Sequence, residues 1–208
     1  MSADYISIHP DNPQARLVRR ACDIIRLGRV AVIPTDSAYA MCCLTGEKSA
    51  VERIARIRHI SKTHNFTLLC RDLSELSTYA RVSNSVYRLL RHHTPGPYTF
   101  ILPATREVPR LLLNTRRRTI GLRVPHGAII EALLEEMGQP LMSCTLILPE
   151  EEEPESDPVE INGKIGSLVD VIVDGGVLPP LATTVVSFDD DGVPEVRRRG
   201  LGDPAPFE

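Results

Sequence analysis

Tryptophan is absent from these 208 residues, and phenylalanine and tyrosine together supply nine. Aromatic platforms on which single-stranded bases stack are therefore scarce, which argues against a single-strand nucleic-acid binder. No apolar run approaches the roughly 18 residues that a bilayer-spanning helix needs. The opening "MSADYISIHP" is polar and charged, so a soluble, cytoplasmic protein with no membrane partner is expected. The five cysteines, Cys22, Cys42, Cys43, Cys70 and Cys144, lack the CxxC or Cys/His spacing of a zinc site, so the pattern predicts buried reduced thiols and no metal. GxGxxG, Walker, HExxH and GxSxG patterns are all missing, which removes the local motifs of dinucleotide, P-loop, zinc-protease and hydrolase chemistry.

What is present is an ordinary globular composition, 42% apolar and 25% charged, which leaves little room for long disorder. The formal net charge of -3 hides an asymmetry. Arginines gather at 116–118 and 197–199, while Glu150 to Glu153, Glu155, Asp157 and Glu160 form an acidic stretch. A chain of this length suits one domain, and hydrophobic periodicity predicts alternating helices and strands. Asn12, Pro13 and Gly28 read as the N-cap, first position and stop of a first helix, with Leu17, Ala21, Ile24 and Ile25 on one face. "VAVIP" reads as a buried strand and Lys48 to Arg58 as a second helix. "FTLLC", "YTFILP", "TIGLRVP" and "PLMSC" follow as strands, interleaved with helices at Val86 to Arg91 and Ile129 to Glu136; "VDVIVDGG", "TTVVSF" and "PEVRR" close the chain as strands. The expectation is an α/β fold: a single-domain twisted mixed sheet covered by helices. Residues 149–158, "PEEEEPESDP", read as a mobile acidic surface loop over a site.

Chemistry is sought at strand ends, where ligands of open α/β sheets sit. "PTDSAYA" follows "VAVI", Thr119 opens a strand that contains Arg123, and Ser143 and Thr145 close "PLMSCT". A guanidinium inside an apolar strand needs a carboxylate or phosphate partner; for Arg123 that is either a ligand or an internal acid. The neighbours His92 and His93 have neither zinc-site nor triad spacing and read as a polar helix end. The basic run "RIRHISKTHNF" ahead of a strand is either an anion grip or a solvated helix end.

Taken in order, "PTDSAYA", "TPGPYTFIL", "TIGLRVPHG", "PLMSCT", "TTVV" and "RRG" resemble the YrdC-like family, whose archetypes are the threonylcarbamoyl-AMP synthases. The resemblance spans residues 14–203, leaves 1–13 and 204–208 as terminal segments, and is nearest to the YciO branch. It implies a YrdC-like fold with a concave basic surface. It also implies binding of a nucleotide or threonylcarbamoyl-adenylate, with ATP and magnesium as substrate and counterion and no tightly bound cofactor. Threonine and bicarbonate are the further substrates, in a reaction linked to tRNA threonylcarbamoyladenosine modification. The alternative is a module that binds double-stranded RNA, tRNA or rRNA without turnover. Residue by residue, the resemblance places Ser37, Arg123, Ser143 and Thr183 on the substrate, His64, Thr119, Thr145 and Arg198 on the nucleotide, and Arg58 at the first basic position of a KxR pattern, as the catalytic cation. Departures cluster on phosphate handling. Ile60 replaces the central arginine, with Arg56 and Lys62 as nearest substitutes; Ile147 replaces the asparagine of SxN, and Leu69 a histidine. Weak or absent synthase turnover is the resulting expectation.

Overall fold

A computed structural model describes residues 2–61, 64–109, 112, 118–189 and 191–208. Among these residues ten strands form one mixed sheet: β1 (Asp4–Ser7), β2 (Ala31–Ile33), β3 (Ala40–Leu44), β4 (Thr67–Leu69), β5 (Tyr98–Pro103), β6 (Thr119–Arg123), β7 (Leu141–Thr145), β8 (Val171–Asp174), β9 (Thr184–Phe188) and β10 (Pro194–Arg198). Six helices accompany them: α1 (Ala15–Arg26), α2 (Lys48–Ile57), α3 (Leu73–Tyr79), α4 (Asn84–His93), α5 (Ala128–Met137) and α6 (Pro158–Ile165). Across the sheet the order is β1-β8-β2-β3-β7-β4-β6-β5-β9-β10. The expected α/β architecture is what the chain adopts.

Alternation along each strand sorts its residues onto two faces. On one face Val32, Met41, Leu68, Leu122 and Phe100 join buried side chains of α2, α3, α4 and α6 in a continuous core. On the other, Ile33, Cys42, Leu69, Leu141 and Val173 pack beneath α1 and α5. These two helices cover only part of their face. Within β7, Leu141 lies under them, but Ser143 and Thr145, two and four residues on, line open space; within β4, Leu69 is covered and Thr67 is not. β5 shows the same division in its sequence: Tyr98, Phe100 and Leu102 are buried, whereas Thr99, Ile101 and Pro103 are only half-buried. The uncovered half of a sheet face is where the site lies.

Several boundaries differ from the sequence reading. Helix α1 starts at Ala15 with Gln14 at the N-cap position. Asn12 stands upstream, where its backbone N–H and that of Asp11 donate to Nδ1 of His9. Gly28 does end the helix, in a left-handed conformation at φ 75° that costs glycine nothing. Strands β1 and β3 and helices α3 and α6 were not expected. The folded unit also extends beyond 14–203, since Asp4–Ser7 pairs with β8 and Phe207 is buried in the core. The acidic segment is pinned where a mobile loop was expected. Glu155 is buried and accepts two bonds from Lys164 Nζ at 2.8 and 3.0 Å, its N–H donates to Leu146 O, and Asp157 caps α6.

Candidate functional site

A cavity of about 570 Å³ opens on the uncovered sheet face. Arg58, His64, Thr119, Arg123, Ser143, Thr145, Thr183 and Arg198 all line it, so eight of the nine expected site residues converge from α2, β6, β7, β9 and β10 and the loops beside them. Ser37, the ninth, does not border the open space but touches it through Arg123, whose Nη2 donates to Ser37 Oγ at 2.9 Å.

Arg123 lies on β6 beside Leu122 and is buried. Its guanidinium is paired internally, as the alternative reading allowed: Nη2 donates to Asp36 Oδ1, to Thr35 Oγ1 at 3.2 Å and to Ser37 Oγ. Its Nε is buried with no hydrogen-bond partner, and a buried donor left so costs about 1–3 kcal/mol. Burial pulls the Arg123 pKa down, and the Asp36 carboxylate opposes it.

Thr183 is buried where the C-terminal segment closes over β9. Its Oγ1 shares a hydrogen bond with Thr99 Oγ1 at 2.8 Å, and Arg198 donates through Nη2 to Thr183 O at 3.0 Å and Oγ1 at 3.3 Å. Gly200 makes this closure possible, because a Cβ there would collide with the backbone of Ala182 and Thr183. Burial and the charge of Arg123 both lower the Arg198 pKa. Two guanidiniums thus share one end of the cavity.

At the other end Arg58 donates through Nε to Ile147 O at 2.9 Å. His64 lies beside it, edge-on to Phe66 with ring centroids 5.3 Å apart; burial first and Arg58 second push its pKa below the usual value. Ser143 donates to Thr67 O at 3.3 Å. Gly121 leaves the floor between Thr119 and Arg123 bare, with Thr67 Oγ1 3.1 Å from where a Cβ would stand. The wall toward β9 and β10 is mixed: Ile101, Val185 and Phe188 alternate with Ser187, Asp189, Glu195 and Arg197.

The two isoleucines part company. Ile147 lines the cavity, but Ile60 packs against the core. The reason is the end of α2: Ile60 N donates to Ala55 O and His59 N to Arg56 O, the paired bonds of a Schellman motif with its apolar residue after the turn. His59 holds the left-handed position at φ 50°, where glycine would be unstrained. Replacing His59 with glycine is therefore expected to stabilise the protein by about 1 kcal/mol, offset in part by the freer unfolded chain; a urea midpoint that falls would contradict this motif. Arg56 is exposed and does not border the cavity, so it is no substitute cation here. Lys62 lies outside the described residues. Leu69 is buried beneath α1 and α5 and faces no ligand space.

Sequence reading missed Asp36, Thr35, Thr67 and Thr99. The signal for Asp36 was the acid inside "PTDS", but its partner lies 87 positions away. Of the arginine runs, Arg116 and Arg117 fall outside the described residues. Arg197 pairs with Glu195 at 2.7 Å, and Arg199 pairs with Glu208, which leaves less charge for an RNA backbone. Among the described residues no three His, Cys, Asp or Glu side chains gather to hold a metal, and no helix is long and apolar enough to cross a membrane.

The profile of the Sua5/YciO/YrdC family, described as telomere recombination, matches residues 23–200. The chain belongs to that family. It is 53% identical to the YciO protein of Escherichia coli K12 over 205 residues, 99% of each chain. The E. coli YciO crystal structure superposes with a TM-score of 0.95 at 52% identity, covering 99% of this chain and all of that one. A threonylcarbamoyl-AMP synthase of Nitrosococcus oceani is 31% identical over 159 residues, 76% of this chain and 85% of the synthase. P. abyssi Sua5, solved as its L-threonine complex, shares the fold with a TM-score of 0.85 at 21% identity, over 94% of this chain and 57% of its own. The Sua5/YciO/YrdC fold and family are thereby established, with the synthases as distant relatives.

Proposed function

We propose that this chain binds a small carboxylate-bearing adenylate of the threonylcarbamoyl-AMP type, and that it makes the compound from threonine, bicarbonate and ATP slowly or not at all. The observation that carries the reading is the convergence of Arg58, Arg123 and Arg198 with the hydroxyls of Ser143, Thr145, Thr119 and Thr183 on one uncovered sheet face. Four arginines line the cavity, Arg123 paired with Asp36 and Arg197 with Glu195; with a row of short hydroxyls they suit a ligand with two separated anionic groups. The synthase among the relatives and the threonine complex of Sua5 support the choice of adenylate.

In such a synthesis the threonine amine and bicarbonate give a carbamate with loss of water. A carbamate oxygen then attacks the α-phosphorus of ATP, and the bond to the β-phosphate oxygen breaks to release pyrophosphate. Charge grows on the leaving pyrophosphate, so the reaction depends on cations placed along it; each such contact is worth roughly 2–4 kcal/mol of transition-state binding. In this cavity Arg58 already gives its Nε to Ile147 O, and Ile147 presents an apolar side chain beside it. The other arginines that line the cavity, Arg123, Arg197 and Arg198, come from β6 and β10. Magnesium would arrive with the triphosphate as its counterion.

The test is calorimetry with AMP, ATP and L-threonine, together with pyrophosphate release measured beside a threonylcarbamoyl-AMP synthase. AMP is expected to bind more tightly than ATP, with pyrophosphate release far below that of the synthase and a gain in Ile147→Asn. Turnover at the synthase's own rate would overturn the impaired-phosphate reading. Absence of all nucleotide binding, with salt-sensitive binding of duplex RNA in its place, would favour the RNA-binding alternative.

A further inference from the structure

Asp36 has no role in the reading above, yet it is the residue on which Arg123 depends. Its two oxygens are divided. Oδ1 accepts from Nη2 of Arg123, and Oδ2 accepts from the backbone N–H of His126 at 3.1 Å. Both side chains are withdrawn from solvent, 6% exposed for Arg123 and 11% for Asp36. A carboxylate that bound this guanidinium side-on would take Nε and Nη2 together. Asp36 is prevented from doing so because its second oxygen is committed to His126, and Nε is left without a partner. The fork of Arg123 is consequently held at one corner and incompletely used. Meanwhile Arg198, fixed by Thr183, stands close enough for the two positive charges to affect one another.

We propose that Asp36 is a positioning residue for ligand binding: it clamps Arg123 by Nη2 and supplies the countercharge that lets Arg123 and Arg198 share the cavity. The cavity then accepts one carboxylate in a set orientation instead of collecting small anions indiscriminately. The identity of that carboxylate rests on the adenylate reading, whereas the anion chemistry does not.

Asp36→Asn is the informative variant, because an amide oxygen still accepts from His126 N–H while the charge is lost. Inorganic phosphate and formate should bind this variant about tenfold more tightly than they bind the wild type, since one negative charge has left a poorly screened site. Formate should also raise the thermal midpoint of Asp36→Asn relative to chloride at equal ionic strength, by restoring a carboxylate beside Arg123, and leave the wild-type midpoint unchanged. Preference for L-threonine over D-threonine should narrow, and Asp36→Glu should recover it in part. A residue that merely held the loop through His126 would leave anion affinity unaltered in Asp36→Asn, and that result would overturn the proposal. If Asp36→Asn does not fold in chloride, the same comparison is made by refolding it in formate: recovery there supports the proposal, and failure in both salts sinks it. The phosphate and formate measurements require no adenylate, so they stand or fall separately from the binding of AMP and threonine by the wild type.

Discussion

Replacing Arg123 with leucine is expected to destabilise the protein by about 3–5 kcal/mol, the usual result of removing one member of a buried ion pair and leaving the other charge uncompensated. The abandoned group is Asp36, which would keep its bond to His126 N–H but lose its cation. Binding of AMP and L-threonine should disappear in the same variant. Stability and binding are separable by a second change. Arg123→Leu combined with Asp36→Leu removes both charges together, which is often neutral or better for stability, so the double variant should recover most of the lost free energy and none of the binding. Urea unfolding and calorimetry on the two variants and the wild type decide the matter. If Arg123→Leu unfolds at the wild-type midpoint, the guanidinium is not locked to Asp36 as described.

Steep loss of stability above pH 9 is the second large effect expected. All five cysteines are buried free thiols, and burial raises every one of them: Cys22 and Cys43 to about 12, Cys42 and Cys70 well above their ordinary value, and Cys144 against the opposing charge of Arg58. The unfolded chain releases these protons near pH 9, while the folded chain holds them. Above that pH the unfolded state carries fewer bound protons, so stability falls as pH rises, by up to about 1.4 kcal/mol per thiol per pH unit. The window runs from about 9 to about 12, the values reached by Cys22 and Cys43. Tyr5, raised to about 12, and Tyr39, raised further by its burial, push in the same direction. Urea midpoints measured from pH 8 to 11 test this. The decline should be shallower in Cys22→Ala and Cys43→Ala, and a wild-type midpoint flat across that range would show that the thiols titrate freely in the fold.

Much of the fold was legible because it is written in local periodicity. β5 alternates buried and half-buried positions as "YTFILP" predicts, and α5 buries Ile129, Ile130, Leu133 and Leu134 and stops at Gly138 in the left-handed conformation. Elements without that signal escaped notice. β3, "AMCCL", has no β-branched residue to mark it, and α3 is seven residues long, too short for a helical stripe. α6 did announce itself, with Asp157 at the N-cap and Pro158 in the first turn, but the acidic residues before it made the segment read as loop.

Site residues divide along the same line. Hydroxyls and arginines at strand ends were recognisable from their places in the chain, since a sheet carries its strand ends to common edges and alternation aims them at one face. Which cation is already spoken for was not recognisable. Arg123 meets Asp36 across 87 positions, Arg58 meets Ile147 O across 89, and Arg198 meets Thr183 across 15; no local rule connects such pairs. Nor does the sequence say that Ile60 turns to the core while Ile147 turns to the cavity. The sequence by itself determined the elements, the family and the set of polar groups available, because these depend on residue type and short spacing. Only the tertiary structure decided which of those groups face ligand space and which neutralise one another, because charge pairing and burial depend on distances that exist only once the sheet has brought remote strands together.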